Sequence, residues 1–181
     1  MTAKTRAKGR LSVRALNGAD AAALLDAIEA SRDTLKRRFR WVASVISPEQ
    51  CAEFVARVSA GEKAGREAVR GAFLAKRGAL IGVGALQCLD ENPGIGELQL
   101  WVRDDKTGKG FARELGAAMV EEGFKRHGLH RLYLRLDPAN RPARAVVKRL
   151  GFKYEGLLRR EKKLNGRWID QECWGRLKED E

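Results

Sequence analysis

Gly108 and Gly110 sit where the stretch Leu98–Leu115 changes character. Before them runs an apolar segment of strand formers that ends at Arg103. After them Phe111, Leu115, Ala118 and Met119 recur at helical spacing. The order is strand, tight loop, helix. Glycines remove the Cβ atoms that keep an anion away from the backbone, so successive N–H groups can converge on it at the positive end of the helix. The chemistry this points to is phosphate binding; a glycine loop that only joins strand to helix is the alternative.

The spacing excludes two familiar phosphate sites. A nucleotide-hydrolysing loop needs Gly directly before Lys-Ser/Thr, and Asp105 precedes Lys106-Thr107. A dinucleotide fingerprint starting at Gly108 needs a third Gly where Arg113 stands, and Gly82-Val83-Gly84 fails in the same way at Gln87.

The rest of the chain supplies the frame. Its 181 residues, 44% of them hydrophobic, suffice for one domain with a real core. Residues 1–9 read as a basic flexible tail and 10–178 as a single domain. No apolar run reaches the roughly 20 residues of a membrane span, and the basic N-terminus lacks an apolar segment behind it. Cys51, Cys88 and Cys173 are odd in number and form no Cys-x-x-Cys pair, the usage of a reducing, cytoplasmic protein. His127 and His130 are too few for a metal site, and no metal is expected. The net charge of +12 favours polyanions or acidic surfaces without identifying one. Nucleic acid, the ribosome, an acidic protein and coenzyme A all qualify.

Leu11–Leu16 alternates as a first strand. Asn17 caps a helix marked by Leu24, Leu25, Ile28 and Leu35, with Asp20 in its first turn. Arg32–Trp41 concentrates basic residues around Phe39 and Trp41; this segment binds RNA, lines a pocket for an acidic substrate, or buries its aromatics in the core. Ser47-Pro48-Glu49-Gln50 starts a second helix that ends near Ala60-Gly61, followed by a charged connector to about Arg70. Strands are expected at 72–75 and 79–86, a turn at 90–94, and a strand at 95–103 that feeds the glycine loop. A helix follows from Gly110 to His127, then a strand at 131–136, a turn at Asp137–Asn140, and a helix closed at Gly151. Asn165-Gly166 joins two final strands. The order predicts an α/β (α+β) domain with a mixed, mainly antiparallel sheet of six to seven strands and helices on both faces.

Thr107-Gly108-Lys109-Gly110-Phe111-Ala112 resembles the acetyl-coenzyme A signature of the GNAT acetyltransferase superfamily, with Thr107 replacing the usual long polar side chain. Asn140, followed by Gly151-Phe152-Lys-Tyr-Glu155-Gly156, is similar to a second segment of that family. Ser31-Arg32 through Trp41, Gly96–Val102 and Leu164–Arg167 with Asp170 resemble the RimJ/RimL branch, the N-terminal acetyltransferases of ribosomal proteins. The resemblance spans about residues 10–178.

It implies a GNAT fold in which the fourth and fifth strands splay apart around acetyl-CoA. The N–H groups of Gly108 to Ala112 then hold the pyrophosphate, with Lys109 and Arg113 adding charge. Leu100, Trp101 and Val102 pair with the pantetheine arm, and Asn140 bonds to it or to its pocket. The N–H of Val102 stabilises the oxyanion, and Glu97 acts as a weak base through water. The family's usual proton donors for the thiolate are replaced by Val147 and Ala143, leaving Tyr133, Tyr154, water or substrate to supply the proton, a thiolate that leaves unassisted, or binding without efficient catalysis. The implied acceptor is the α-amine of a protein or peptide, ribosomal protein included. A small-molecule amine, or a catalytically weak acetyl-CoA- or RNA-binding protein, are the alternatives. Either a monomer or a homodimer fits.

Overall fold

The computed structural model describes residues 9–87, 89, 93–164 and 166–180. Residues 1–8 of the expected tail, Cys88, positions 90–92 of the expected turn and Asn165 lie outside the described residues. The elements are β1 (Leu11–Ala15), α1 (Ala21–Glu29), α2 (Arg32–Lys36), α3 (Pro48–Lys63), β2 (Ala68–Leu74), β3 (Leu80–Gln87), β4 (Ile95–Val102), α4 (Phe111–Glu121), β5 (Arg131–Leu136), α5 (Arg141–Arg149), β6 (Lys153–Leu164) and β7 (Arg167–Leu177). They build one seven-stranded sheet in the order β1-β2-β3-β4-β5-β7-β6. Every neighbouring pair is antiparallel except β4 and β5.

Alternation along the strands divides the apolar residues between two cores. On one face α4 lays Phe111, Leu115 and Met119 against Leu98, Leu132 and Trp174, and α5 adds Val147. The helices come close because two glycines let them: a Cβ on Gly84 would stand 2.7 Å from Met119, and one on Gly116 would stand 2.5 Å from Leu150. On the other face α1 and α3 bury Leu24, Ile28 and Val55 against Val83 and Trp101. Each fully buried large apolar side chain contributes about 2 kcal/mol.

Three expectations are corrected. The single helix read from Asn17 to Leu35 is three pieces: a 3-10 turn over Gly18–Asp20, then α1, then α2. Asn17 does cap, accepting from the Ala19 N–H at 3.0 Å. The break falls at Ser31, which leaves the helical region with φ −142° and accepts the Asp104 N–H on its hydroxyl at 2.8 Å. A tertiary contact outweighs the local periodicity there. Second, the charged connector ends earlier than Arg70, because Ala68, Val69 and Arg70 are buried strand. Arg70 is tolerated inside because Glu62 takes its NH1 and NH2 at 2.8 and 2.6 Å, and Glu122 takes its Nε at 3.0 Å. Third, the helix after the glycine loop keeps α form only to Glu121 and widens into a π turn over Glu122–Arg126. Among the described residues no helix is long and apolar enough to cross a membrane.

Candidate active site

The parallel β4–β5 pairing lasts three residues, Ile95 with Arg131, Gly96 with Leu132 and Glu97 with Tyr133. Beyond that pair the strands part, although β4 continues to Val102 and β5 to Leu136. The antiparallel β3–β4 ladder fixes which backbone groups face the opening. Arg103 N–H donates to Ile81 O at 2.8 Å, in register with Val83 opposite Trp101 and Gly82 opposite Val102. Alternation then turns the N–H groups of Gln99 and Trp101 toward β3, and those of Leu98, Leu100 and Val102 into the gap. A row of donors and acceptors lies open along one side of a cleft.

The row leads to the glycine loop. Gly108 and Gly110 take left-handed φ values of +71° and +81°, which a side chain would strain. The first intrahelical bond of α4 runs from Glu114 N–H to Gly110 O at 3.1 Å. The N–H groups of Phe111, Ala112 and Arg113 therefore have no partner inside the helix and carry its positive end. A Cβ on Gly108 would meet nothing within 4 Å, so the approach is open. Donors, dipole and space fit an anion of pyrophosphate type.

Side chains around the loop hold it rather than fill it. The Thr107 hydroxyl donates to Asp104 O at 2.8 Å, and Lys109 Nζ donates to Asp105 O at 3.1 Å. Two acids so near an anion site would oppose it, but both are engaged. Lys106 at 2.7 Å and Arg103 at 3.0 Å hold the Asp105 carboxyl below its ordinary pKa, and Thr34 donates to Asp104 at 2.7 Å. Arg103 also reaches Asp26 at 2.5 Å, tying the loop to α1. Arg113 is exposed.

Sequence reasoning missed Arg10. Its guanidinium donates to Lys109 O at 2.9 Å, lies 4.5 Å from the Phe111 ring centroid and pairs with Glu114 at 3.3 Å. No local pattern could have found a residue so distant in the chain from the loop it braces.

Glu97 sits at the apex of the opening, directly opposite Tyr133. Its side chain is 13% exposed, with Arg135 NH1 4.0 Å away. Alternation places Glu97, Gln99, Tyr133 and Arg135 on the face opposite α4 and α5. Lys162 arrives from β6, donates to Arg38 O at 2.7 Å, and has Glu97 and Asp137 as charged neighbours. Burial pulls its ammonium below the usual lysine value, although both carboxylates act to raise it. The hairpin thus closes over the apex, a second feature the sequence did not disclose. Phe39 and Trp41 are half-buried; with Phe54, which stacks on Trp41 at 4.8 Å, they line a cavity of about 60 Å³ beside Gln99, Leu100 and Trp101. Arg32 binds Val42 O, Val45 O and Glu29, so it is structural.

Asn140 is the N-cap of α5, accepting from Ala143 N–H at 3.3 Å. Its Oδ1 is committed and its amide Nδ2 is the group left to reach the cleft. Val147 is buried in the core under α5. Tyr154 is 53% exposed and meets Trp174 edge-on at 5.4 Å, on the α5 side of the sheet. The residues singled out in the sequence thus lie around β4 and the loop, whereas Tyr154 stands apart from Glu97.

Comparison with known proteins gives the same frame. The chain is 32% identical over 101 residues to the uncharacterized N-acetyltransferase p20 of Bacillus licheniformis, covering 56% of this chain and 57% of that one. It is 33% identical over 72 residues to spermidine N(1)-acetyltransferase of Escherichia coli K12, 40% of this chain and 39% of that one. The chain thus aligns with about half the length of such curated relatives, or less. Among solved structures, the ribosomal L7/L12 α-N-protein acetyltransferase RimL in complex with coenzyme A superposes with a TM-score of 0.88 at 19% identity, over 97% of this chain and 98% of that one. The ribosomal-protein-S5-alanine acetyltransferase of Vibrio fischeri does so with a TM-score of 0.85 at 20% identity, over 95% of each chain. These likenesses establish the fold. The model of the acetyltransferase (GNAT) domain matches residues 10–153, well over half of the sequence, and the chain belongs to that family.

Proposed function

We propose that this protein is an acetyl-CoA-dependent N-acetyltransferase whose acceptor is the N-terminal α-amine of a protein, of the ribosomal-protein type. The observation that carries the reading is the opening of β4 from β5 just past Glu97 and Tyr133, with the N–H groups of Leu98, Leu100 and Val102 facing it and the Gly108–Gly110 loop at its end. Acetyl-CoA bound there supplies an acyl group activated as a thioester.

The N–H groups of Gly108, Lys109, Gly110, Phe111 and Ala112 hold the pyrophosphate, and Lys109 and Arg113 add charge. Thr107, too short for the family's side-chain contact, contributes the turn. Leu100, Trp101 and Val102 form the wall along the pantetheine arm, and the Asn140 amide closes the far side. The Val102 N–H is the oxyanion donor, and Leu100 presents the same group two residues nearer the apex. Glu97 takes the proton of the attacking amine through water. An α-amine has a pKa near 8, so a weak base suffices.

A protein acceptor is supported by the likeness to ribosomal-protein acetyltransferases along almost the whole chain. A small-molecule amine is the second reading, favoured by the spermidine acetyltransferase likeness, but a chain of net charge +12 repels polyamines. The test is release of coenzyme A thiol with a panel of peptides and polyamines, with the acetylated atom located by mass spectrometry. Turnover of peptide α-amines above polyamines is expected. Tight coenzyme A binding with no release across the panel would replace the enzyme with a binding protein.

A further inference from the structure

We propose that the acceptor polypeptide carries acidic residues a few positions after its α-amine, and that Lys36, Arg40 and Lys163 read them. This rests on the α-amine reading above and narrows it.

A groove of about 550 Å³ lies between α2 with the turn after it and the β6–β7 hairpin, lined by Lys36, Arg40, Ala43, Lys163, Leu164 and Gly166. That volume is in the range of a bound ligand rather than of a surface dimple. Half of its lining residues are cations and none is acidic. Other guanidinium groups are matched: Arg14 with Asp20, Arg131 with Glu155 and Arg144 with Glu172. Among the described residues, none of the three groove cations stands in an ion pair within 4.0 Å. The nearest compensation is remote: Lys36 acts on Glu29 through space, and the Lys163 ammonium lies 5.9 Å from the Trp168 ring centroid.

The groove adjoins the reaction site, because Arg38, between its lining residues Lys36 and Arg40, receives Lys162 from the side of Glu97. Lys162, adjacent to Lys163, crosses the same seam to Arg38 O and has Glu97 as a charged neighbour. A ligand that occupies both places must bear an amine at its reacting end and negative charge several ångströms further on. RNA offers the charge without an aliphatic amine. A polyamine offers the amine with charge of the wrong sign. An acidic N-terminal segment offers both, and clustered cations beside a cleft raise its association rate by about 10-fold to 10³-fold, an advantage that salt removes.

The experiment measures kcat/KM for hexapeptides that share their first two residues and carry acidic, neutral or basic residues at positions three to six, at about 0.05 M and about 0.5 M salt, where screening differs strongly. The acidic peptide is expected to exceed the neutral one by about tenfold at low salt and to lose most of that lead at high salt. Lys163→Glu and Arg40→Glu should invert the order, and Lys163→Gln and Arg40→Gln should level it. Coenzyme A affinity should hold in all four, which shows that each variant is folded. Equal turnover of acidic and neutral peptides, or an order that survives charge reversal, overturns the proposal and leaves the α-amine reading standing. Single-stranded RNA that binds the wild type, loses its site in the two reversal variants and leaves peptide turnover undisturbed also overturns it. Failure of every peptide while coenzyme A still binds removes the α-amine reading itself.

Discussion

Replacing Gly110 once by alanine and once by glutamate separates backbone strain from charge at the loop. At φ +81° a side chain forces the left-handed region on a residue that disfavours it, at about 1–2 kcal/mol. For a chain of this length that lowers Tm by roughly 2–8 °C. Both variants bear this strain. Glutamate adds a carboxylate beside the proposed pyrophosphate. Two unit charges about 4–6 Å apart at an effective dielectric of 20 repel by about 3–4 kcal/mol. Arg10 moderates the effect, because its NH2 stands 3.3 Å from the position of the new Cβ and can pair with the carboxylate. The dissociation constant for coenzyme A should therefore rise about 10²-fold or more from Gly110→Ala to Gly110→Glu by calorimetry, while their melting temperatures stay close. If Gly110→Glu binds coenzyme A within about threefold of Gly110→Ala, the N–H groups at the start of α4 do not hold its phosphates.

Proline at position 102 deletes an N–H that faces the gap and spares the β3 ladder; kcat should fall about 10²-fold to 10³-fold with the fold intact, read by single-turnover kinetics. A rise in the coenzyme A dissociation constant with kcat kept would move the oxyanion role to Leu100. Glu122→Gln strips a partner from buried Arg70 and should cost about 3 kcal/mol, or roughly 6–12 °C in Tm, moderated by the remaining Glu62. The same carboxylate makes stability pH-dependent. Burial raises its pKa, but the approach of His127 and the bonds and charge of Arg70 win, so the folded value lies below the usual glutamate range. Its contribution is present above about pH 4.5 and lost as pH falls through the lowered folded value; Asp20, lowered by Arg14, acts in the same direction. Urea midpoints from pH 6 down to about 3 should fall less steeply for Glu122→Gln than for the parent.

The parts legible in the sequence were those written in contiguous residues. Gly108 and Gly110 between an apolar run and a helical stripe gave the loop, and Arg131–Leu136, Lys153–Leu164 and Arg167–Leu177 are strands within the bounds their alternation implies. What stayed hidden was set by partners far along the chain. Ser31 breaks its helix because Asp104 needs an acceptor, Arg70 enters the core because Glu62 and Glu122 meet it there, and Arg10 braces a loop almost a hundred residues away. Asn140, read as a cleft residue or a capping one, is a cap, and its amide remains for the proposed cleft role; a short polar side chain at the start of a helix suits both without any change in the pattern.

The missing proton donor follows from the same geometry. Val147 is core, Ala143 carries only a methyl, and Arg141–Arg149 contains no Ser, Thr or Tyr, so α5 offers a departing thiolate no hydroxyl. Of the two tyrosines, Tyr154 lies on the α5 side against Trp174, whereas Tyr133 shares the face of Glu97 and pairs with it at the apex. A thiol of pKa about 8.5 leaves as a tolerable anion at neutral pH and takes its proton from solvent afterwards, so no positioned acid is required. The amine makes an equally small demand: with a pKa about one unit above neutral, roughly a tenth of it is already uncharged, at a cost of about 1.4 kcal/mol. Both ends of the reaction are near balance without a side chain, and the step that needs help is charge building on the thioester oxygen. In the proposed mechanism that help comes from backbone N–H groups, which every residue except proline carries. On that proposal the side chains at Leu100 and Val102 are free to be plain core residues that hold β4 against α4 while the main chain supplies the donors.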